Sequence, residues 1–233
     1  LKSYFLGKRD LFEGLFLYNQ PVKWQSHTII HIDLGDRKAE SAEQFDRALC
    51  EVLDEQAAIH KVRLSARDAT SRFRELILSL TKSGEKVVIL IDEYDKPILN
   101  NIQNPHVGEI LNALKAFYAV IKATEPYQRF VLLTGVSKFS KISLFSDLNN
   151  LPDITMAAPF ATALGYTQEE LESYFAPRID DFALKKGICY EEMLENLKSW
   201  YNGYRFEESS DTVYNPVSVM NCLSAQKFSN FLV

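Results

Sequence analysis

The segment Val87-Val-Ile-Leu-Ile-Asp-Glu-Tyr-Asp95 gives the clearest indication of the fold of this chain. Five consecutive apolar residues, most of them β-branched, lead directly into the neighbouring carboxylates of Asp92 and Glu93. Such a run is typical of a strand that is covered on both faces, and its C-terminal end then opens at a polar crevice. Because open α/β sheets bind their ligands at this place, the stretch predicts a ligand site at the end of the strand.

An apolar strand that ends in Asp-Glu has the chemistry of a magnesium nucleotide site. Mg²⁺ keeps most of its water and takes only one or two carboxylates together with phosphate oxygens, so Asp92 would hold the metal through water. Glu93 would then lie beside the γ-phosphate and would orient and deprotonate an attacking water. Acidic residues are also common just after strands, and two solvated carboxylates without a ligand are an equally good interpretation of this stretch alone.

The composition excludes several classes of protein. With 46% apolar and 24% charged residues in 233, the chain is globular and long enough for one large α/β domain, or one domain with an appendage. The net charge of -5 gives no general attraction to nucleic acid or to an anionic membrane, and there is no long Lys/Arg run. No continuous apolar stretch approaches the roughly 18 residues of a membrane span, and we expect no secretory leader.

The cysteines and histidines do not form a metal pattern. Cys50, Cys189 and Cys222 stand far apart without a C-x-x-C pair, which predicts a reduced, cytoplasmic protein and argues against structural zinc. His27 and His31 flank a strand-like run, where a spacing of four is more typical of one strand face than of a metal site.

Strand-like runs alternate with helical patterns along the first part of the chain. The predicted strands are 28–33, the apolar run 87–91 that leads into Asp92, and 130–135, with a short further core strand at 154–160. Between them, Ser41-x-x-Gln44 resembles a capping box, apolar residues recur at helical spacing in 73–80 and 110–121, and Pro97 is expected to force a break. This alternation predicts a parallel sheet flanked by helices.

Thr134 ends the strand that follows the central one, as Asp92 ends the central strand itself. Two strands that end in chemically useful groups favour the nucleotide interpretation over solvated acids. The Ser-, Lys- and Asn-rich segment 136–152 that follows is a candidate active-site loop, although an ordinary surface connection has the same composition.

The remainder of the chain is predicted to be mainly helical. Thr167-x-x-Glu170 caps a helix, Asn202-Gly203 predicts a tight turn between aromatic arms, and Tyr214-Asn-Pro216 starts a final helix. Trp200 and its aromatic neighbours predict a small satellite core, with a lid as the alternative. We therefore predict an α/β core over residues 1–160 and a helical lid or linker over 161–233.

Five motifs occur in order and are together specific. They are Asp92-Glu-Tyr-Asp-Lys-Pro97, Thr134-Gly-Val-Ser-Lys138, Leu144-Phe-Ser-Asp-Leu-Asn-Asn150, Tyr201-Asn-Gly-Tyr204 and Val213-Tyr-Asn-Pro216. Through them the chain resembles the AAA-ATPase-like family over nearly its whole length. The resemblance implies a P-loop NTPase-like sheet of the AAA (ASCE) type, with ATP and Mg²⁺ as ligands.

The resemblance also implies roles for individual residues. Asp92 matches the Walker B aspartate that holds Mg²⁺ through water, and Glu93 matches the catalytic glutamate. Thr134 matches the sensor position, which contacts the γ-phosphate or the attacking water. Asp95 belongs to the same Asp-Glu-Tyr-Asp signature and is grouped with Asp92 as cofactor-binding, with loop ordering as its expected contribution.

The family's phosphate loop does not occur in this sequence. No G-x-x-x-x-G-K-[ST] is present, and Gly7-Lys8 is followed by Arg9 in a helical context. The chain also begins Leu1-Lys2-Ser3 without an initiator Met. We expect a fragment that starts inside the helix opened by the phosphate loop and lacks the first strand. We also expect it to bind ATP very weakly and to be inactive, whereas the intact protein binds ATP.

Two further expectations concern partners and alternatives. Family members often carry a PD-(D/E)xK nuclease-like domain, so the resemblance implies a linked or partner nuclease. Pro152-Asp153 is not followed by an acid-x-Lys strand and is expected to be a turn. The alternative to an ATPase is a nucleotide-sensing or interaction scaffold in which the two acids have no catalytic role.

Overall fold

The computed structural model describes residues 1–37, 39–136 and 150–231. The chain divides into two compact units, Leu1–Leu151 and Pro152–Val233, which are described separately. The predicted boundary after residue 160 lies slightly further along the chain than this division.

The first unit contains a three-stranded parallel sheet. Its strands are β1 (Ile29–Asp33), β2 (Val87–Asp92) and β3 (Gln128–Leu133), in the spatial order β1-β2-β3. The first two strands were predicted almost to the residue. The third was predicted to be a buried strand, and this was wrong, because β3 is an edge of the described sheet and Phe130 is 37% exposed.

The pairing of β2 with β3 contains a register shift. Val87 pairs with Gln128 but Val88 pairs with Phe130, so Arg129 has no partner residue on β2. From Val88 onward the pairing is regular to Ile91 and Leu133. This irregularity is a β-bulge at the start of the edge strand, the usual place for one.

Helices connect the strands of the first unit. They are α1 (Lys2–Phe5), α2 (Ala42–Ile59), α3 (Ala69–Leu80), α4 (Lys96–Leu99) and α5 (Val107–Ala123), with 3₁₀ turns at Arg9–Phe12, Phe16–Asn19 and Glu125–Tyr127. The described residues therefore form a small α/β unit, a parallel sheet flanked by helices. Pro97 was predicted to break the chain, but it lies in the first turn of α4, where a missing N–H costs no hydrogen bond.

The N-terminus of α2 shows how a sequence signal is used in a modified form. The Ser41 hydroxyl accepts a hydrogen bond from the Gln44 N–H at 3.3 Å, as predicted. The Gln44 side chain, however, accepts from the Glu40 N–H at 3.0 Å instead of from Ser41. The reciprocal bond of a capping box is thus displaced by one residue.

The two faces of the sheet are covered unequally. One face carries Ile30, Ile32, Ile89 and Ile91 and belongs to the large core with apolar residues of α2, α3 and α5. Ile29, Val88 and Leu90 on the other face form a much smaller cluster, which Phe5 and Leu6 cover together with Leu132. The central strand is accordingly buried on both faces, as its uninterrupted apolar sequence predicts.

The second unit is helical. It contains α6 (Gln168–Lys186), α7 (Tyr190–Tyr201), α8 (Pro216–Ala225) and a 3₁₀ turn at Ala158–Phe160. The predicted strand over 154–160 was wrong, since this segment forms turns and exposes Ile154, Met156 and Phe160. The predicted caps are confirmed: Thr167 and Glu170 form a capping box, and Asn215 accepts from the Ser218 N–H at 2.9 Å.

The aromatic segment after α7 differs from the prediction. Asn202-Gly203 ends the helix and does not connect two strands, although Tyr204 forms one antiparallel bridge with Val213. Tyr201 is buried, burial raises its pKa to about 12, and its hydroxyl donates to the Ser229 carbonyl at 3.0 Å. Tyr201 packs in the core of the second unit, whereas Trp200 is 53% exposed.

None of the helices in the described residues combines the length and the apolar character needed to cross a membrane. The segments Ser137-Lys138 and Leu144–Asn149, which belong to two of the five motifs and to the candidate loop, lie outside the described residues.

Candidate functional site

The ends of β2 and β3 meet through a direct side-chain contact. The Thr134 hydroxyl donates a short hydrogen bond to Asp92 Oδ1. Backbone bonds fix this arrangement, since the Thr134 N–H donates to the Ile91 carbonyl and the Tyr94 N–H to the Thr134 carbonyl, both at 2.9 Å. The structure thus brings together two of the residues that the sequence singled out, at the C-terminal edge of the sheet.

The Asp92 carboxylate keeps capacity for a ligand. Its Oδ1 also accepts the Glu93 N–H at 3.1 Å, while no hydrogen bond within the described residues goes to Oδ2. Asp92 is exposed. One exposed carboxylate beside a hydroxyl fits Mg²⁺ held through water, the mode in which this ion takes few protein ligands. No group of three or more His, Cys, Asp or Glu residues suited to a metal occurs in the described residues.

Glu93 follows Asp92 directly but its carboxylate lies on the other side of β2. A Cβ placed on Gly35, just after β1, would be 3.4 Å from the Glu93 carboxyl carbon. Glu93 Oε2 lies 3.3 Å from Lys96 Nζ, and the side chains are 40% and 37% exposed. The two adjacent acids therefore diverge: Asp92 faces the end of β3, and Glu93 faces the end of β1.

The backbone at Glu93 has a left-handed conformation, with φ of 52°. Residues other than Gly, Asn and Asp rarely adopt it, and it costs of the order of 1 kcal/mol. The Glu93 carbonyl accepts the Lys96 N–H at 3.0 Å, which closes the turn into α4. Strained residues of this kind persist where the surrounding structure fixes them, and they cluster at functional sites.

Asp95 occupies the layer beneath the exposed acids. It is completely buried, and its Oδ1 would lie 2.5 Å from a Cβ built on Gly135. The ring of Tyr94 would be 2.6 Å from the same Cβ, so position 135 has room only for glycine. The assignment of Asp95 to cofactor binding stays a prediction, and its burial favours the ordering of the loop as its contribution.

A buried tyrosine supports the same layer. Tyr118 lies on α5 and is completely buried. Its hydroxyl donates a hydrogen bond to the Tyr94 carbonyl at 3.0 Å. Burial, followed by the proximity of Tyr94 and Asp95, holds the pKa of Tyr118 well above its ordinary value. The neutral hydroxyl thus remains a hydrogen-bond donor throughout the physiological pH range.

Asp33 is a site residue that the sequence analysis did not select. It is the last residue of β1, lies in register with Asp92, and is exposed. Its Oδ1 accepts the Gly35 N–H at 2.9 Å, which shapes the turn that lies beside the Glu93 carboxylate. The rule that selected Asp92, a carboxylate at the end of an apolar strand, applies equally to Asp33.

Comparisons with known proteins give one family and one relative. The family model described as AAA-ATPase-like, predicted AAA-ATPase, matches residues 1–145. A protein of Azotobacter chroococcum mcd 1, described as an uncharacterized protein in the vnfD 5′ region, is 34% identical over 230 residues. That match covers 98% of this chain and 42% of the relative, so the chain spans about two-fifths of the relative's length. No solved structure matches the chain.

Proposed function

Since the chain belongs to the AAA-ATPase-like family, we propose that it carries the metal- and water-handling part of an ATP-hydrolysing site in a larger protein. The family suggests nucleotide and metal use in general. The observation that carries the finer proposal is the hydrogen bond from Thr134 to Asp92, which joins a hydroxyl and a carboxylate at the C-terminal edge of a parallel sheet. ATP and Mg²⁺ are the ligands that this pair fits best.

The residues have distinct parts in the proposed reaction. Asp92 would hold Mg²⁺ through water, and the bound metal would neutralise the charge of the phosphates. Thr134 orients the Asp92 carboxylate with its O–H, and its hydroxyl oxygen accepts a hydrogen bond from the attacking water. Contact with the γ-phosphate would instead require this O–H to leave Asp92. Glu93 accepts a proton from water as the water oxygen attacks the γ-phosphorus and the bond to the β,γ-bridging oxygen breaks, which yields ADP and phosphate.

The phosphate-gripping part of such a site is a separate element. A phosphate loop supplies backbone N–H groups, a lysine and a hydroxyl, and no G-x-x-x-x-G-K-[ST] occurs in the 233 residues. We therefore expect residues 1–233 to bind MgATP only weakly and the full-length protein to bind it well. Isothermal titration of MgATP into both would check this, and micromolar binding by residues 1–233 would contradict it.

Substitution of the proposed base tests the function itself. In the full-length protein, Glu93→Gln should lower ATP turnover about 10²- to 10⁴-fold, the usual contribution of a positioned base, while ATP affinity stays the same. Glu109→Gln is the matched control, because Glu109 lies on α5 with 65% of its side chain exposed. Turnover in Glu93→Gln equal to that of the wild type would refute the assignment.

A second candidate function is favoured by the contact between Glu93 and Lys96. A carboxylate engaged by a lysine suits a nucleotide-sensing or interaction scaffold in which hydrolysis has no part. The two candidates separate in the same experiment. An enzyme has turnover that Glu93→Gln removes, whereas a scaffold shows no turnover in the wild type.

A further inference from the structure

The divergence of Asp92 and Glu93 sets a requirement on the proposed reaction. Asp92 and Thr134 lie on the β3 side of β2, and the Glu93 carboxylate lies on the β1 side against Gly35. Neighbouring strands are about 4.8 Å apart, so the ends of β1 and β3, which lie on opposite sides of β2, are separated by roughly two strand spacings. A base that serves a water beside Asp92 and Thr134 must move its carboxylate toward β3.

Lys96 is placed to oppose that movement. Its Nζ lies 3.3 Å from Glu93 Oε2, and this oxygen is shielded from solvent although the side chain as a whole is not. The lysine backbone is fixed by its N–H bond to the Glu93 carbonyl and by the buried Pro97 that follows it in α4. The ammonium group is therefore held one turn beyond the carboxylate that it contacts.

We propose that Lys96 is a positioning residue that restrains Glu93 on the β1 side of the sheet and so keeps ATP turnover low. The inference rests on the proposed function. It adds a residue that neither the family match nor the relative assigns to the site. Because the ion pair is about two-fifths exposed, the restraint is weak and its removal has a modest effect.

Charge removal at Lys96 tests the restraint in the full-length protein. Lys96→Met keeps the length of the side chain and should raise kcat about two- to fivefold with KM for ATP unchanged, the range that a half-exposed ion pair supports. Lys96→Arg keeps the cation and should retain the wild-type kcat. An unchanged or lowered kcat in Lys96→Met, or a raised kcat in Lys96→Arg, would overturn the proposal.

Ionic strength gives a readout that a merely structural lysine would not move. Raising the salt concentration from 0.05 to about 0.5 M screens a half-exposed pair. The ratio of kcat between Lys96→Met and wild type should therefore fall toward one as salt rises. A ratio that does not depend on salt would contradict an electrostatic restraint.

A labelling experiment separates the failure of this inference from the failure of the proposed function. Acetylation of Lys96, followed by mass spectrometry, should be about two- to fivefold faster in Glu93→Gln than in the wild type, with the exposed Lys122 as internal reference. Equal labelling rates would refute the ion pair. Faster labelling in a protein without ATP turnover would keep the contact but overturn both the proposed function and the restraint of turnover.

Discussion

The carboxylates at the end of β2 form two layers with different tasks. Asp92 and Glu93 reach the surface, where one meets the Thr134 hydroxyl and the other the Lys96 ammonium. Asp95 is only two residues further on but is completely buried against Gly135. One acidic signature thus contains two carboxylates at the surface and a buried carboxylate beside them, and burial distinguishes the two kinds.

The largest effect should come from truncation of the buried acid. Asp95→Ala removes a fully buried carboxylate and leaves a polar void, so we expect the free energy of unfolding to fall by about 2–4 kcal/mol. Asp92→Ala, on the exposed layer, should change it by less than about 1 kcal/mol. Urea unfolding of both variants measures this difference. Equal decreases in the free energy of unfolding would contradict the distinction between a buried and an exposed layer of carboxylates.

A methyl group at Gly135 should be the next largest perturbation. Its Cβ would approach Asp95 Oδ1 to 2.5 Å, so Gly135→Ala should destabilise the protein by about 1–3 kcal/mol, the usual cost of overpacking. Gly108→Ala is the matched control, because a Cβ there meets nothing within 4 Å and helix α5 should gain slightly. Thermal unfolding measures the stability of both variants. An unchanged stability in Gly135→Ala would show that the buried residues around position 135 can move to make room for the methyl group.

Removal of the Thr134 hydroxyl should affect chemistry more than stability. Thr134→Val deletes the donor to Asp92 Oδ1, so we expect turnover of the full-length protein to fall about tenfold, with a stability change below about 1 kcal/mol. Thr134→Ser keeps the donor and should retain most of the activity. If Thr134→Ser loses as much activity as Thr134→Val, the hydrogen bond is not what matters.

Asp68 qualifies the comparison of exposed with buried carboxylates, because it is an exposed acid that stabilises a helix. Its side chain caps α3 by accepting the Ser71 N–H at 2.8 Å. This backbone bond, and then the Ser71 hydroxyl, hold the pKa of Asp68 below its ordinary value. We expect Asp68→Ala to lower the free energy of unfolding by about 1 kcal/mol near pH 7.

The pH dependence of that effect follows from the direction of the pKa shift. A lowered pKa in the folded state means that the ionised cap stabilises above the unfolded pKa of about 3.9, and that this stability is lost as the pH falls through the folded pKa. The difference between wild type and Asp68→Ala should therefore shrink below about pH 4. Asp68→Asn, which caps without ionising, should lack this dependence. A stability difference between wild type and Asp68→Ala that is as large at pH 2 as at pH 7 would refute the ionised cap.

Local sequence signals predicted most of the fold. Apolar runs located β1 and β2, and side-chain oxygens located the starts of α2, α6 and α8. These signals act within a few residues, so they can be read without knowledge of the rest of the chain. The meeting of Asp92 with Thr134 was also predictable, because parallel strands end at the same edge of a sheet.

The remainder depended on contacts between distant segments. The exposure of β3 depends on its place at the edge of the sheet, which its own apolar sequence does not reveal. The apolar segment 154–160 has the composition of a strand but pairs with no described neighbour. The direction of Glu93 depends on a left-handed backbone and on Lys96, and no periodicity signals either feature.

The bulge at Arg129 has a consequence for the alignment of the site. If Arg129 paired with Val88 in the ordinary way, even pairing from Val87 and Gln128 would bring Leu133, not Thr134, level with Asp92. In such an even pairing every side chain of β3 after Gln128 would also point to the opposite face of the sheet. The alignment of the Thr134 hydroxyl with the Asp92 carboxylate is therefore set at the far end of the strand, where one inserted residue fixes the position of two side chains that it does not contact.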